Sequence, residues 1–481
     1  MNRRIIIKVL GYILMIESAL LSPSFIIGLA TREGDALAFG ITIALTAVIG
    51  FIMSRIKADK AISIKDGLTI TTLSWIFMSL FGALPLYLTK STPTYVNAVF
   101  EIVSGFTTTG ASVISDVEAL THGILFWRSF THWIGGMGIL VFSLAILPAI
   151  GVGGFQLFKA ESPGPVIGKI VPRLKDTAKG LYGIYIGITI LNIIFLKIGK
   201  MSWFDSFVYA FGTLGTGGFA TKNISIGAYP STYIHIVLAI FMTLSAVNFS
   251  NYYLILKGRV KEFFKDEEFR LYIFVLFIAV VLIALDLLST SYKSVGLAFR
   301  DSFFQASSIM TTTGYSTVDF NLWTPFSKMI LIALMMVGGS AGSTAGGFKV
   351  VRLLVLFKMV KREIMKMFHP RAVVPIKIGG KIVQNETIAS IFSYTALYVI
   401  IVVFSVILIS LEGVDFESSI SSVMATFNNI GPGLGFVGPM TNFGGYSQWS
   451  IGYFSILMLL GRLEMFTMLA LISPKLWGNK A

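Results

Sequence analysis

The sequence predicts an all-α polytopic membrane protein, in which an N-terminal two-helix hairpin is followed by four span, half-helix, loop and span repeats in a pseudo-fourfold arrangement around one pore. Three observations predict it. First, 55% of the 481 residues are apolar and the mean hydropathy is +0.80, which is more than a water-soluble globule can hide. Second, the apolar runs are separated by basic links. Third, a hydroxyl-rich and glycine-rich loop, FTTTGAS at 106–112, returns as SSIMTTTGYST at 307–317, GTLGTGGFAT at 212–221 and TFNNIGPGLG at 426–435. Irregular polar backbone persists at membrane depth only where protein buries it or it lines a water-filled path. Four such loops suggest one path with four walls.

Two apolar runs, 5–30 and 36–53, open the chain around the polar link TREGD. The first is too long for a signal-peptide core and reads as a retained span. After a basic link, a span at 68–88 leads to residues 95–106, a dozen residues that are too short to cross about 30 Å of hydrocarbon. This stretch reads as a re-entrant half-helix. The loop 106–112 and a span at 125–150 complete the first unit. Later first spans fall at 181–198, 271–288 and 388–411, and later second spans at 234–256, 329–360 and 453–472.

Aligning the loops on Gly110, Gly218, Gly314 and Gly431 needs no gap across the half-helices. The glycines lie 108, 96 and 117 residues apart, a repeat that outweighs any single motif. The same register places Asn97, Asp205, Asp301 and Ser418 together as expected helix N-caps. It divides the chain into a hairpin, 1–60, and pore repeats at 61–158, 159–262, 263–372 and 373–481.

Lys and Arg number 38 against 24 acids, for a net charge of +14. Their clusters fall between spans, where they set topology and face anionic headgroups. Membrane lipid, not nucleic acid, is therefore the expected partner of this charge. Both termini are expected in the cytoplasm, with every half-helix entering from outside. The absence of cysteine and the scattering of four histidines argue against a His or Cys metal cluster. No paired-acid or nucleophile constellation points to an enzyme.

The loops suit a monovalent cation. The C-terminal ends of four half-helices present partial negative charge to the axis, and Thr-Gly backbone can aim carbonyls inward in place of a hydration shell. The candidate filter is Thr108, Thr109, Gly110, Thr216, Gly217, Gly218, Thr312, Thr313, Gly314, Asn429, Ile430 and Gly431. No acid lies within three residues of the four glycines, whereas a divalent path would be expected to carry an acidic ring. Two quarters keep TTTG and two do not, so the filter has four different walls.

TTTGA, TTTGYST, NNIGPGLG, WRSFTHWIGGMGI at 127–139 and GRLE at 461–464 together resemble the Trk/Ktr/HKT superfamily of potassium transporters over the whole chain. The opening hairpin and NNIGPGLG make the chain most similar to the bacterial TrkH branch. The resemblance implies potassium uptake across the bacterial cytoplasmic membrane by a homodimer, each protomer with its own pore. It also implies a cytoplasmic nucleotide-binding regulatory subunit of the TrkA type. The transported ion is then K⁺, with Thr109, Gly110, Gly218, Thr313, Gly314 and Gly431 as its expected contacts, and no organic cofactor. The alternative is a coupled symporter of K⁺ with H⁺ or Na⁺, with alternating access; four repeats of one orientation argue against its usual inverted pairs.

The third repeat's second span is interrupted by GGSAGSTAGG: Gly338, Gly339, Ser340, Ala341, Gly342, Ser343, Thr344, Ala345, Gly346 and Gly347. Regular helix there is costly, since each Gly is about 1 kcal/mol worse than Ala, so a loop beneath the filter is expected. Phe348 stands where a phosphate loop needs its lysine, and no strand precedes. Arg462 lies inside the last span, where an arginine must find acceptors. Its position matches the arginine that meets an intramembrane loop in TrkH-like proteins, which implies a gate. Arg128 is expected to be an outer-interface anchor.

Overall fold

A computed structural model describes residues 1–58, 62–138 and 174–471. The opening hairpin runs from Arg3–Leu20 through Ser22–Thr31, with Pro at the start of the second piece, and returns as Ala36–Ser54. The first span of repeat 1, Ile64–Gly82, begins at a capping box in which Ser63 and Asp66 satisfy each other's backbone amides. It continues as Leu84–Leu88 around Pro85. The later first spans are Leu174–Ile198, Glu267–Thr290 and Asn385–Ile409. Phe274, Phe277, Ile400 and Phe404 on these helices are 56–64% exposed, an apolar outer face suited to lipid. A small hairpin pairs Lys377–Ile378 with Lys381–Ile382, a strand element that the all-helical reading omits.

The four half-helices are Tyr95–Phe106, Trp203–Gly215, Val295–Met310 and Phe416–Phe427. At about 1.5 Å per residue, the twelve-residue first and last helices span only about 18 Å. The expected N-caps need correction. Thr94, Ser202, Ser294 and Asp415 cap the helices. Asn97, Asp205 and Ser418 stand three residues further in, supplying the amides that three of these caps accept, and Asp301 lies deeper because the third helix starts earlier. Three helices share one register, with the cap oxygen three residues before the aligned position, whereas the third is capped by Ser294, ahead of Asp301 by two turns.

Each second span leans on the next repeat's half-helix. His122–Gly136 packs on Trp203–Gly215, Thr232–Ser245 on Val295–Met310, and Pro325–Val337 on Phe416–Phe427; Gln448–Arg462 closes the circle on Tyr95–Phe106. Hydrogen bonds between the loops that follow the half-helices keep the same order. Val117 N donates to Asn223 Oδ1 at 2.8 Å, Gly227 N to Ser316 O at 3.1 Å, Gly435 N to Asn321 Oδ1 at 3.0 Å and Phe443 N to Ser112 O at 2.8 Å. Four repeats thus enclose one axis.

The second spans depart from the sequence reading. The expected continuous helix 234–256 is broken into Thr232–Ser245 and Phe249–Leu256, bent by 94°. Residues 246–248 leave the helix to pair with the glycine-rich loop of repeat 3: Ser340 N donates to Ala246 O at 2.9 Å and Phe249 N to Gly342 O at 3.0 Å. The last span, expected through 472, stops at Arg462 and resumes as Met465–Ala470 after Glu464 at φ 58°. The interruption in repeat 3 falls where expected, between Pro325–Val337 and Val350–Phe368. The end of the span 125–150, the repeat boundary at 158/159 and some of the basic clusters that set topology, namely most of 159–179 with Lys60, Lys475 and Lys480, lie outside the described residues.

Candidate ion filter and the loop beneath it

All four half-helices end the same way. Two residues before each reference glycine, Thr108, Thr216, Thr312 and Asn429 take φ of 56–57°. The next amide then reaches back five residues: Thr109 N to Ser104 O, Gly217 N to Gly212 O, Thr313 N to Ser308 O and Ile430 N to Ala425 O, all at 2.8–2.9 Å. This is the Schellman ending, with Thr or Asn in the left-handed position where glycine is usual. The reference glycines themselves have φ of 77–100°, angles that disfavour any side chain.

The glycines meet in a ring. A Cβ on Gly110 would lie 1.9 Å from Gly217 O, one on Gly218 would lie 2.1 Å from Thr313 O, one on Gly314 2.1 Å from Ile430 O, and one on Gly431 2.7 Å from Thr109 O. Each glycine is therefore seated against the carbonyl that precedes its neighbour's glycine, and the order closes on itself. Hydroxyls brace two walls from behind: Thr107 and Thr109 share a hydrogen bond of 2.8 Å, and Thr311 and Thr313 one of 2.7 Å. In the fourth wall Asn429 Nδ2 donates to Thr109 Oγ1 and Met458 O, both at 2.9 Å. The predicted filter residues are thus brought together, and the two degenerate walls adopt the backbone of the other two.

On the side of the loops that follow the glycines, a cavity of about 150 Å³ touches Gly110, Gly218, Gly314 and Gly431, with Lys222 and Arg128 on its lining. On the opposite side stands the glycine-rich loop. Gly346 N donates to Thr312 Oγ1 at 2.7 Å, and a Cβ on Gly346 would lie 2.5 Å from Asn428 O. Thr344 Oγ1 donates to Ser245 O at 3.0 Å and Ala341 N to Glu268 Oε1 at 2.7 Å. Ala345 and Thr344 are fully buried. Arg462 reaches this loop, donating from Nη1 to Thr344 O at 2.8 Å and from Nη2 to Gly135 O and Gly136 O at 2.6 and 3.0 Å. One guanidinium therefore joins the ends of second spans from repeats 1 and 4 to the loop of repeat 3. Glu464 is held by Arg352.

Three groups here are ones that sequence reasoning missed or misplaced. Lys349, the residue after Phe348, is 3% exposed, has φ 80° and donates from Nζ to Ala345 O. Arg128 is not an interface anchor: it is 1% exposed and bonded to the fully buried Glu101 at 3.2 Å. Glu101 also accepts from Ser112 Oγ and Val113 N at 2.5 and 2.7 Å, so this ion pair fixes the exit of the first loop. His132, one helical turn beyond Arg128, backs the second loop. The helical spacing of Arg128 and His132 in WRSFTHW was a signal of a shared face, but nothing local shows what that face meets.

The family model described as "TrkH: Cation transport protein" matches residues 35–479. The chain is 37% identical, over 99% of its length and 100% of the relative's, to the Trk system potassium uptake protein TrkH of Escherichia coli strain K12. It is 33% identical, over 99% of both chains, to TrkG of that organism, which is also called a Trk system potassium uptake protein. The crystal structure of the potassium transporter TrkH from Vibrio parahaemolyticus superposes with a TM-score of 0.88 at 34% identity, covering 99% of this chain and 100% of that one. These relatives are named as transport proteins, in line with the expectation that the chain is not an enzyme.

Proposed function

The chain belongs to the TrkH family of cation transport proteins, and from this premise we propose that it is the membrane subunit of a potassium uptake system, with the ring of glycines and facing carbonyls as its filter. The observation that carries the reading is the closed order in which Gly110, Gly218, Gly314 and Gly431 each abut a neighbour's carbonyl. Carbonyl oxygens so arranged replace the water shell of a monovalent cation. K⁺ would be held by backbone at Thr109, Gly110, Gly218, Thr313, Gly314 and Gly431. The pore helices' C-terminal ends add partial negative charge.

The gate in this reading is the loop 338–347 with Arg462. Loop backbone bonded to Thr312 and Arg462 stands across the inner side of the filter, and the guanidinium adds electrostatic repulsion of a cation. Release requires the Arg462 bonds to part. The division into a hairpin and four pore repeats follows the ring order, and the protein acts in the bacterial cytoplasmic membrane with cytoplasmic termini. A homodimer and a TrkA-like nucleotide-binding subunit complete the assembly, the latter meeting the basic inner surface around the helix Val350–Phe368. A gated passive pore is preferred to a symporter because the filter is a ring of four same-facing repeats, without an inverted pair to rock.

The test is cation flux in liposomes holding the purified chain. Radiolabelled rubidium uptake that potassium suppresses and sodium does not is expected. Uptake that requires a proton or sodium gradient would favour the symporter, and its absence with and without a regulatory subunit would overturn the reading.

A further inference from the structure

The second filter wall lacks both the threonine hydroxyl and the volume that Thr109 and Thr313 supply at the equivalent position; it has Gly217. This glycine is not held by its backbone angles, since Gly218, and not Gly217, has positive φ. What forbids a side chain is His132. A Cβ on Gly217 would lie 2.2 Å from His132 Cγ and Nδ1. His132 is fully buried, and neither ring nitrogen has a hydrogen-bond partner among the described residues. Its ring instead stacks on Phe219, with centroids 4.3 Å apart. Arg128 also lies against Phe219, with its guanidinium carbon 4.0 Å from the ring centroid. Arg128 is fixed in turn by Glu101 and by Ser112 Oγ at 3.2 Å. One helical face of repeat 1 thus presses on the loop of repeat 2 at both Gly217 and Phe219, while bonded to the first loop.

We propose that His132 and Arg128 are positioning residues for ion selectivity: the imidazole ring takes the place of the missing threonine, and with the Phe219 clamp it sets the carbonyl of Gly217. That carbonyl is the one against which Gly110 is seated, so an error in the second wall is passed to the first. This inference rests on the filter reading above, and it assigns the selectivity of the divergent wall to side chains borrowed from its neighbour.

A compensating pair tests it. Purified full-length protein is unfolded by heat across potassium and sodium titrations, since an ion bound only by the folded form raises the unfolding temperature, and the same variants are assayed for rubidium flux. His132→Ala is expected to lower the potassium preference about tenfold, and Gly217→Thr to lower it at least as far, whereas the double variant, with threonine filling the vacated ring site, returns to within about threefold of the parent. Phe219→Leu releases the clamp without emptying the ring site, and is expected to weaken the preference if His132→Ala does not accumulate. A double variant no better than Gly217→Thr, or an unchanged preference in both His132→Ala and Phe219→Leu, overturns the proposal. A parent protein without potassium preference overturns the filter reading and this inference with it; a selective parent with insensitive variants overturns this inference alone.

Discussion

Gly346 donates its backbone amide to the Thr312 hydroxyl across 2.7 Å, joining a loop at the break in a span to a filter residue 34 positions earlier. Because Thr312 holds the left-handed angle that turns its wall of the filter, filter and loop share an atom-level contact. Moving the loop must break or remake that bond, which would give the proposed gate a route to the proposed filter.

Arg462→Ala removes donors to Thr344 O, Gly135 O and Gly136 O. Unstimulated flux through liposomes is expected to rise about tenfold or more, as about 1.4 kcal/mol off a barrier gives. Arg462→Lys retains the charge but not the spread of donors, so an intermediate rise is expected. Unchanged flux and unchanged regulation in Arg462→Ala would remove the arginine from the gate.

Gly314→Ser places a Cβ 2.1 Å from Ile430 O at φ 85°, and Gly110→Ser does the equivalent against Gly217 O at 1.9 Å and φ 80°. Each is expected to lower the potassium to sodium permeability ratio about tenfold by displacing the facing carbonyl. A ratio that moves in neither variant would misplace the filter.

Glu101→Gln leaves Arg128 buried without its counter-charge. Removing one member of a buried pair costs roughly 3 kcal/mol or more, so the detergent-solubilised variant should unfold at a clearly lower temperature. Glu101→Gln combined with Arg128→Met, which removes both charges, should recover most of that loss. Equal unfolding temperatures for Glu101→Gln and the parent would show that the pair carries no structural weight.

The loop seam between repeats 1 and 2 is expected to depend on pH in one direction. The Lys222 ammonium beside Glu118 holds that carboxyl below its ordinary value, and Asn223 does the same for Asp116. A depressed carboxylate stabilises the fold above its ordinary pKa and loses that contribution as pH falls through the lowered one. Thermal stability is therefore expected to be insensitive to these groups at neutral pH and to decline in acid below about pH 4. Lys222→Ala should flatten part of that decline at low salt, and high salt should erase the difference, because both groups are exposed and screened. A parent and Lys222→Ala with identical acid profiles at low salt would remove the bridge.

The chain by itself determined the membrane class, the fourfold repeat, the position of each threonine- and glycine-rich loop and the interruption at 338–347. Each of these is written locally, in hydropathy, in span length and in the clustering of threonine and glycine, so it can be read without knowing any neighbour. The tertiary structure alone decided the order in which the repeats stand, the break at 246–248, the pairing of Arg128 with Glu101, and the packing of His132 against Gly217. It also supplied the acceptors of Arg462, one of them 327 residues away in sequence. The physical reason is that a buried donor or an empty Cβ site is satisfied by whatever the fold brings to it. Gly217 reads as a lost threonine in the sequence; only in three dimensions does the histidine that fills its place appear.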